Sequence, residues 1–157
     1  SLQNLGTLGG NHSIALDINN AGVVVGGAAT ATADSHAFIY AGSMTDLGTL
    51  GGTSSWAYAI NDNGVAVGVS DLAGNVGRHP FIYSNGTMTD LTTLIPANSG
   101  WAFEYVTDIN INGWIIGYGI NPEGQTHGFL LTPVPEPISF YLLALGGFAA
   151  AKRRRSH

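Results

Sequence analysis

The 157-residue chain contains no cysteine, so it has no disulfide framework and no thiolate to serve as nucleophile or metal ligand. It also has almost no positive charge over most of its length. Residues 1–151 carry one basic side chain, Arg78, against ten acidic ones, while Lys152, Arg153, Arg154 and Arg155 stand together at the other end. Such a body repels phosphate, which excludes nucleic-acid binding through a basic surface. Charged residues are only 10% and apolar ones 45%, so the chain has the apolar surface to build a core rather than stay disordered. No Gly-x-Ser-x-Gly elbow and no His-Glu-x-x-His occurs. The Gly-rich blocks hold no lysine and precede no helix, so they are not phosphate loops.

One long uncharged run is present, Ile138–Ala151, reading ISFYLLALGGFAAA. As a helix its 14 residues would span about 21 Å, against a hydrocarbon core of about 30 Å. Val134-Pro135-Glu136-Pro137 precedes it and the block Lys152–Arg155 follows it. The positive-inside rule keeps that block cytoplasmic, and its side chains can snorkel to make up the missing length. The expectation is a short transmembrane helix with a basic tail over residues 138–157, after a Pro-Glu-Pro linker or motif at 133–137.

This arrangement over residues 134–157 resembles the PEP-CTERM sorting signal of Gram-negative bacteria. Pro135, Glu136 and Pro137 correspond to the motif and Arg153, Arg154 and Arg155 to the cytoplasmic stop. The resemblance implies export across the inner membrane, recognition by an exosortase, cleavage near the motif, and release to the cell surface or beyond. Export needs a leader, and Ser1-Leu2-Gln3-Asn4 is not one. The expectation is therefore a fragment, or a chain whose leader has been removed.

The body repeats. Leu5-Gly6-Thr7-Leu8-Gly9-Gly10 returns as Leu47-Gly48-Thr49-Leu50-Gly51-Gly52 and, altered, as Leu91-Thr92-Thr93-Leu94. Asn-x-x-Gly-x-x-x-Gly occurs at Asn19, Gly22 and Gly26, at Asn61, Gly64 and Gly68, and at Asn110, Gly113 and Gly117. His-x-Phe occurs at His36, His79 and His127, and Met-Thr-Asp-Leu brings Asp46 and Asp90 to equivalent places. The units run from about 11–52, 53–94 and 95–132. Short apolar, β-branched runs between Asn/Gly turns read as strands, four per unit: Ile14–Ile18, Val23–Ala28, His36–Tyr40 and Met44–Leu50 in the first. Pro80 cannot donate a ladder bond, so its strand should lie at an edge or leave its amide side unpaired.

Residues 2–132 are similar to the HAF-repeat family of extracellular proteins, on His36-Ala37-Phe38, the block Asp46–Gly52 and the Ile-Asn-x-x-Gly turns. The fold class expected is all-β, with about three four-stranded repeat units. The unit length suits a β-propeller blade, and the opening Leu5–Leu8 reads as a last strand without its own first three. A partial propeller, an open array and a prism all remain open.

The histidines His36, His79 and His127 recur once per unit, which reads as a structural role, as it does for Asp46 and Asp90. Asp108-Ile109-Asn110-Ile111-Asn112-Gly113 opens like an EF-hand loop, but Gly119 stands where the bidentate glutamate belongs. Asp108, Asn110 and Asn112 remain a calcium candidate beside the simpler reading of a hairpin turn. Trp56, Tyr58, Trp101, Tyr105 and Trp114 are either core or a sugar-stacking surface. The function expected is that of an exported, non-enzymatic repeat protein of the cell envelope or extracellular matrix, without cofactor. A polysaccharide-binding β module is the alternative, and a hydrolase a more distant one.

Overall fold

A computed structural model describes residues 1–133. The sorting motif Val134–Pro137, the transmembrane helix expected at 138–157 and the stop Lys152–Arg155 lie outside the described residues. Among the described residues no helix is long and apolar enough to cross a membrane.

Among the described residues, eleven strands form three antiparallel sheets. The first holds β1 (Gly9–Ile18), β2 (Val24–Thr30), β3 (Ser35–Tyr40) and β4 (Met44–Asp46) in that order. The second repeats it with β5 (Gly51–Ile60), β6 (Ala66–Leu72), β7 (Arg78–Ser84) and β8 (Thr87–Asp90). The third has β9 (Ala102–Ile109), β10 (Ile115–Ile120) and β11 (Thr126–Leu131).

The sheets pack in sequence, β5 against β2 and β3, then β9 against β6 and β7. Alternation along β6 sends Ala66 into the core shared with Val25, Ala57 and Ile60, and Val67 into the core shared with Val106, Ile109 and Ile115. The middle sheet is thus covered on both faces. The described residues form an open series of sheets, without a closed barrel or propeller among them.

Two strand expectations change. The strand drawn over Met44–Leu50 ends at Asp46, because its carboxylate accepts the Gly48 amide at 2.7 Å and Gly48 takes φ +72°, which turns the chain toward β5. Among the described residues the third unit has three strands rather than four, β11 being followed only by Thr132 and Pro133, and proline brings no amide to a ladder. Pro80 sits in β7, between β6 and β8, opposite Val69 and just past Phe81, where the β8 pairing stops. Of the two alternatives, its amide side is the one left unpaired.

The second glycine of each Asn-x-x-Gly-x-x-x-Gly motif has a packing cause. A Cβ on Gly26, Gly68 or Gly117 would overlap the carbonyl oxygen of Ile14, Trp56 or Tyr105 on the paired strand. These positions cross-match the three sheets residue by residue.

Candidate functional site

Each Asn turn is closed by its own side chain. Asn19 Oδ1 accepts the amides of Ala21 and Val23, Asn61 Oδ1 those of Asn63 and Val65, and Asn110 Oδ1 those of Asn112 and Trp114, all at 2.9–3.1 Å. Gly22, Gly64 and Gly113 supply the positive φ. The amide nitrogens link the units: Asn19 Nδ2 donates to the Asn61 carbonyl at 3.1 Å, and Asn61 Nδ2 to the Asn110 carbonyl at 2.9 Å. Asp17 Oδ2 also crosses, accepting the Ile60 amide at 2.8 Å.

These turns gather at one end of the sheets around an open depression of about 270 Å³, which Asp17, Asp62 and Asp108 help to line. Asn20 donates to Asp62 from both its side chain, at 2.7 Å, and its amide, at 2.9 Å. Those bonds hold the Asp62 carboxyl below its ordinary range. At the calcium candidate, Asn110 Oδ1 is engaged by the turn and Asp108 Oδ1 accepts the Ile109 amide at 2.7 Å. No group of three or more His, Asp or Glu side chains among the described residues is placed to hold a metal ion.

The repeated histidines meet the repeated aspartates. His36 Nδ1 lies 2.9 Å from Asp46, and His79 Nδ1 lies 2.7 Å from Asp90. Asp90 also accepts the Thr92 amide and hydroxyl at 2.8 and 2.7 Å. Burial pushes the Asp90 carboxyl up, but the bonds from His79 and Thr92 outweigh it and hold the group below its ordinary range. His127 has no aspartate; its Nδ1 faces Asn121 Nδ2 at 3.4 Å. Each pair bridges the third and fourth strands of its own sheet. Arg78, the lone cation of the body, bonds Asp71 at 2.9 Å.

The aromatic residues do not form one platform. Trp56 packs its ring over Gly27 of the first sheet. Tyr58, Tyr105 and Tyr118 stack in series, with centroids 5.1 and 5.5 Å apart. Burial, then the hydrogen bond to Tyr105, pushes the Tyr58 phenol up. Trp101 packs with Phe103 and Phe129 beside an apolar cleft of about 420 Å³. Trp114 is exposed and apart from these groups. Sequence reasoning passed over Tyr118, because its counterparts Gly27 and Val69 are not aromatic.

Residues 133–155 match the PEP-CTERM protein-sorting motif. The match supports an exported protein that is anchored at the membrane, processed there by an exosortase-type enzyme and then placed at the cell surface. No curated protein and no solved structure matches the chain.

Proposed function

We propose that the β body, residues 1–132, is a non-enzymatic repeat module of the HAF type that an exosortase delivers to the cell envelope or extracellular matrix. The observation that carries this reading is the sorting motif at residues 133–155, which follows an acidic body and ends in the basic block Lys152–Arg155. The non-enzymatic part rests on where the histidines are spent. His36 and His79 each hold the aspartate of their own sheet, a repeated structural bond rather than a single reactive centre. A polysaccharide partner would have to use separate aromatic patches, since the candidate rings lie in different packing groups.

The test is a chain tagged on both sides of Pro135, expressed in a host that has the sorting enzyme. The wild-type body should reach the surface fraction without its C-terminal tag. Replacing Pro135, Glu136 and Pro137 with alanine should leave both tags on a membrane-bound chain. A C-terminal tag that stays with the wild-type body in every fraction overturns the proposal.

A further inference from the structure

We infer that Tyr58 and Tyr105 form a site of oxidative cross-linking, where hydrogen peroxide, activated by a peroxidase, joins the second sheet to the third through a carbon–carbon bond between the two rings. The pair is set in place by the fold. The ring centroids lie 5.1 Å apart at an interplanar angle of 29°, and the two hydroxyls are hydrogen-bonded at 2.5 Å. The hydroxyl ends are therefore closer together than the ring centres. That tilt brings forward the Cε carbons, which flank the carbon bearing each hydroxyl. A tyrosyl radical holds part of its unpaired spin on Cε, so these are the atoms that join when two such radicals meet. Tyr118 stacks on Tyr105 with centroids 5.5 Å apart and planes within 3°, so its Cε carbons stay at the spacing of the rings.

The local structure aims Tyr58 across the boundary. The register of β5 on β6 slips between Ala57 and Ala59, and Tyr58 is the extra residue, with no partner on its own sheet. A bulge of this kind re-aims the side chain it carries. Tyr105 lies on β9, directly opposite Tyr118 on β10. One unit earlier the same three places hold Leu16, Trp56 and Val69. That boundary packs without a phenol, so the repeat does not itself demand three tyrosines at the next one. Tyr58 and Tyr105 are half-buried and Tyr118 is 39% exposed, which leaves the cluster open to an oxidant arriving from solvent. The chain has no cysteine, so no disulfide can fasten one unit to another. A bond between Tyr58 and Tyr105 would do so, and would restrict the unfolded chain by closing the loop between β5 and β9.

The chemistry balances with peroxide as the only oxidant. Burial and the bond to Tyr105 push the Tyr58 phenol up, so it is protonated at neutral pH and its oxidation removes a proton and an electron. The Tyr105 phenol gives up a proton and an electron in the same way. The two radicals couple through one Cε of each ring. The hydrogen on each joined carbon leaves as a proton, and each oxygen takes a proton back, which restores both phenols. The chain loses two protons and two electrons in all. Hydrogen peroxide accepts them, its O–O bond breaks, and two molecules of water form.

The test treats the full chain, in mild detergent, with a peroxidase and limiting hydrogen peroxide. The product should run as a single chain, lose the mass of two hydrogen atoms and show the blue fluorescence of a biphenol. Proteolytic fragments should show the peptide of Tyr58 joined to that of Tyr105. Tyr58→Phe and Tyr105→Phe, which keep the stacked ring, should each abolish the product, and Tyr118→Phe should leave it. The same chain unfolded in urea should lose this pairing, because the fold no longer holds the rings together. Failure of the folded chain to cross-link, a bond that joins other tyrosines or separate chains, a product that survives Tyr58→Phe, or an equal yield of the pair in urea would overturn the inference.

Discussion

The amide of Ala37 leaves its own sheet and donates to Ser55 Oγ on the next, at 2.8 Å. One unit later the same two places hold Pro80, which has no amide hydrogen, and Phe103, which has no acceptor. Donor and acceptor have disappeared together, which is what the cost of a buried, unmatched polar group demands. The residues of one repeat are therefore fitted to those of the next, and the unit of consistency is the boundary rather than the single sheet.

Substitutions on either side of that bond should each destabilise. Ser55→Ala strands the Ala37 amide in a buried place and should cost about 1–3 kcal/mol. Pro80→Ala should also destabilise, by a similar amount, although removing proline from a central strand would ordinarily help. It creates an amide aimed at an apolar boundary. Urea unfolding midpoints give the answer, and a Pro80→Ala protein as stable as wild type would refute the argument.

Two glycines of one motif should fail for different reasons. Gly64 has φ +76° and nothing within 4 Å of a would-be Cβ, so Gly64→Ala suffers only backbone strain, about 1–2 kcal/mol. Gly68 has an ordinary φ, but its Cβ would overlap the Trp56 carbonyl, so Gly68→Ala must push strands β5 and β6 apart. Its cost should be on the order of 3 kcal/mol or more, or folding should fail. Equal unfolding midpoints for the two variants would contradict this.

Strand cores and turns were legible in the sequence because Asn and Gly mark them locally: Asn61 closes its turn with its own side chain whatever the sheets do. The His–Asp pairs were foreshadowed by the recurrence of both residues in the first two units, ten residues apart in one and eleven in the other, on paired neighbouring strands. What escaped depends on contacts between units. The end of the strand at Asp46 is the exception, a local signal passed over: its carboxylate turns back on the Gly48 amide two residues on. Ser55 looks like a neutral guest in an apolar run until the Ala37 amide arrives from another sheet. That the third sheet has three strands among the described residues was hidden by the regularity of the first two.

Asn61 carries two duties, and two substitutions separate them. Asn61→Ala removes the acceptor for the Asn63 and Val65 amides and the donor to Asn110, and should cost about 2–4 kcal/mol. Asn61→Asp keeps the acceptor but loses the donor and sets a negative charge against the Asn110 carbonyl. It should still lose stability while leaving the turn intact. Amide exchange can distinguish them: Val65 should remain protected in Asn61→Asp and exchange faster in Asn61→Ala. Fast exchange at Val65 in both would mean that the turn and the inter-sheet bond are inseparable.

Acid should act on the second sheet through Asp90. Burial alone would raise its carboxyl, but His79, the Thr92 hydroxyl and the Thr92 amide hold it below the unfolded value of about 3.9. A depressed carboxyl contributes its stability in full above the unfolded value and loses it as pH falls through the folded one. The sensitive window therefore lies below about pH 4. Asp90→Asn removes this titration while leaving an oxygen to accept from Thr92. The variant should be less stable than wild type at neutral pH, where wild type has the ionised bond, and its stability should fall less steeply between roughly pH 4 and pH 2. Denaturant midpoints measured across that range are the check. Parallel curves for the two proteins would show that the acid response arises elsewhere.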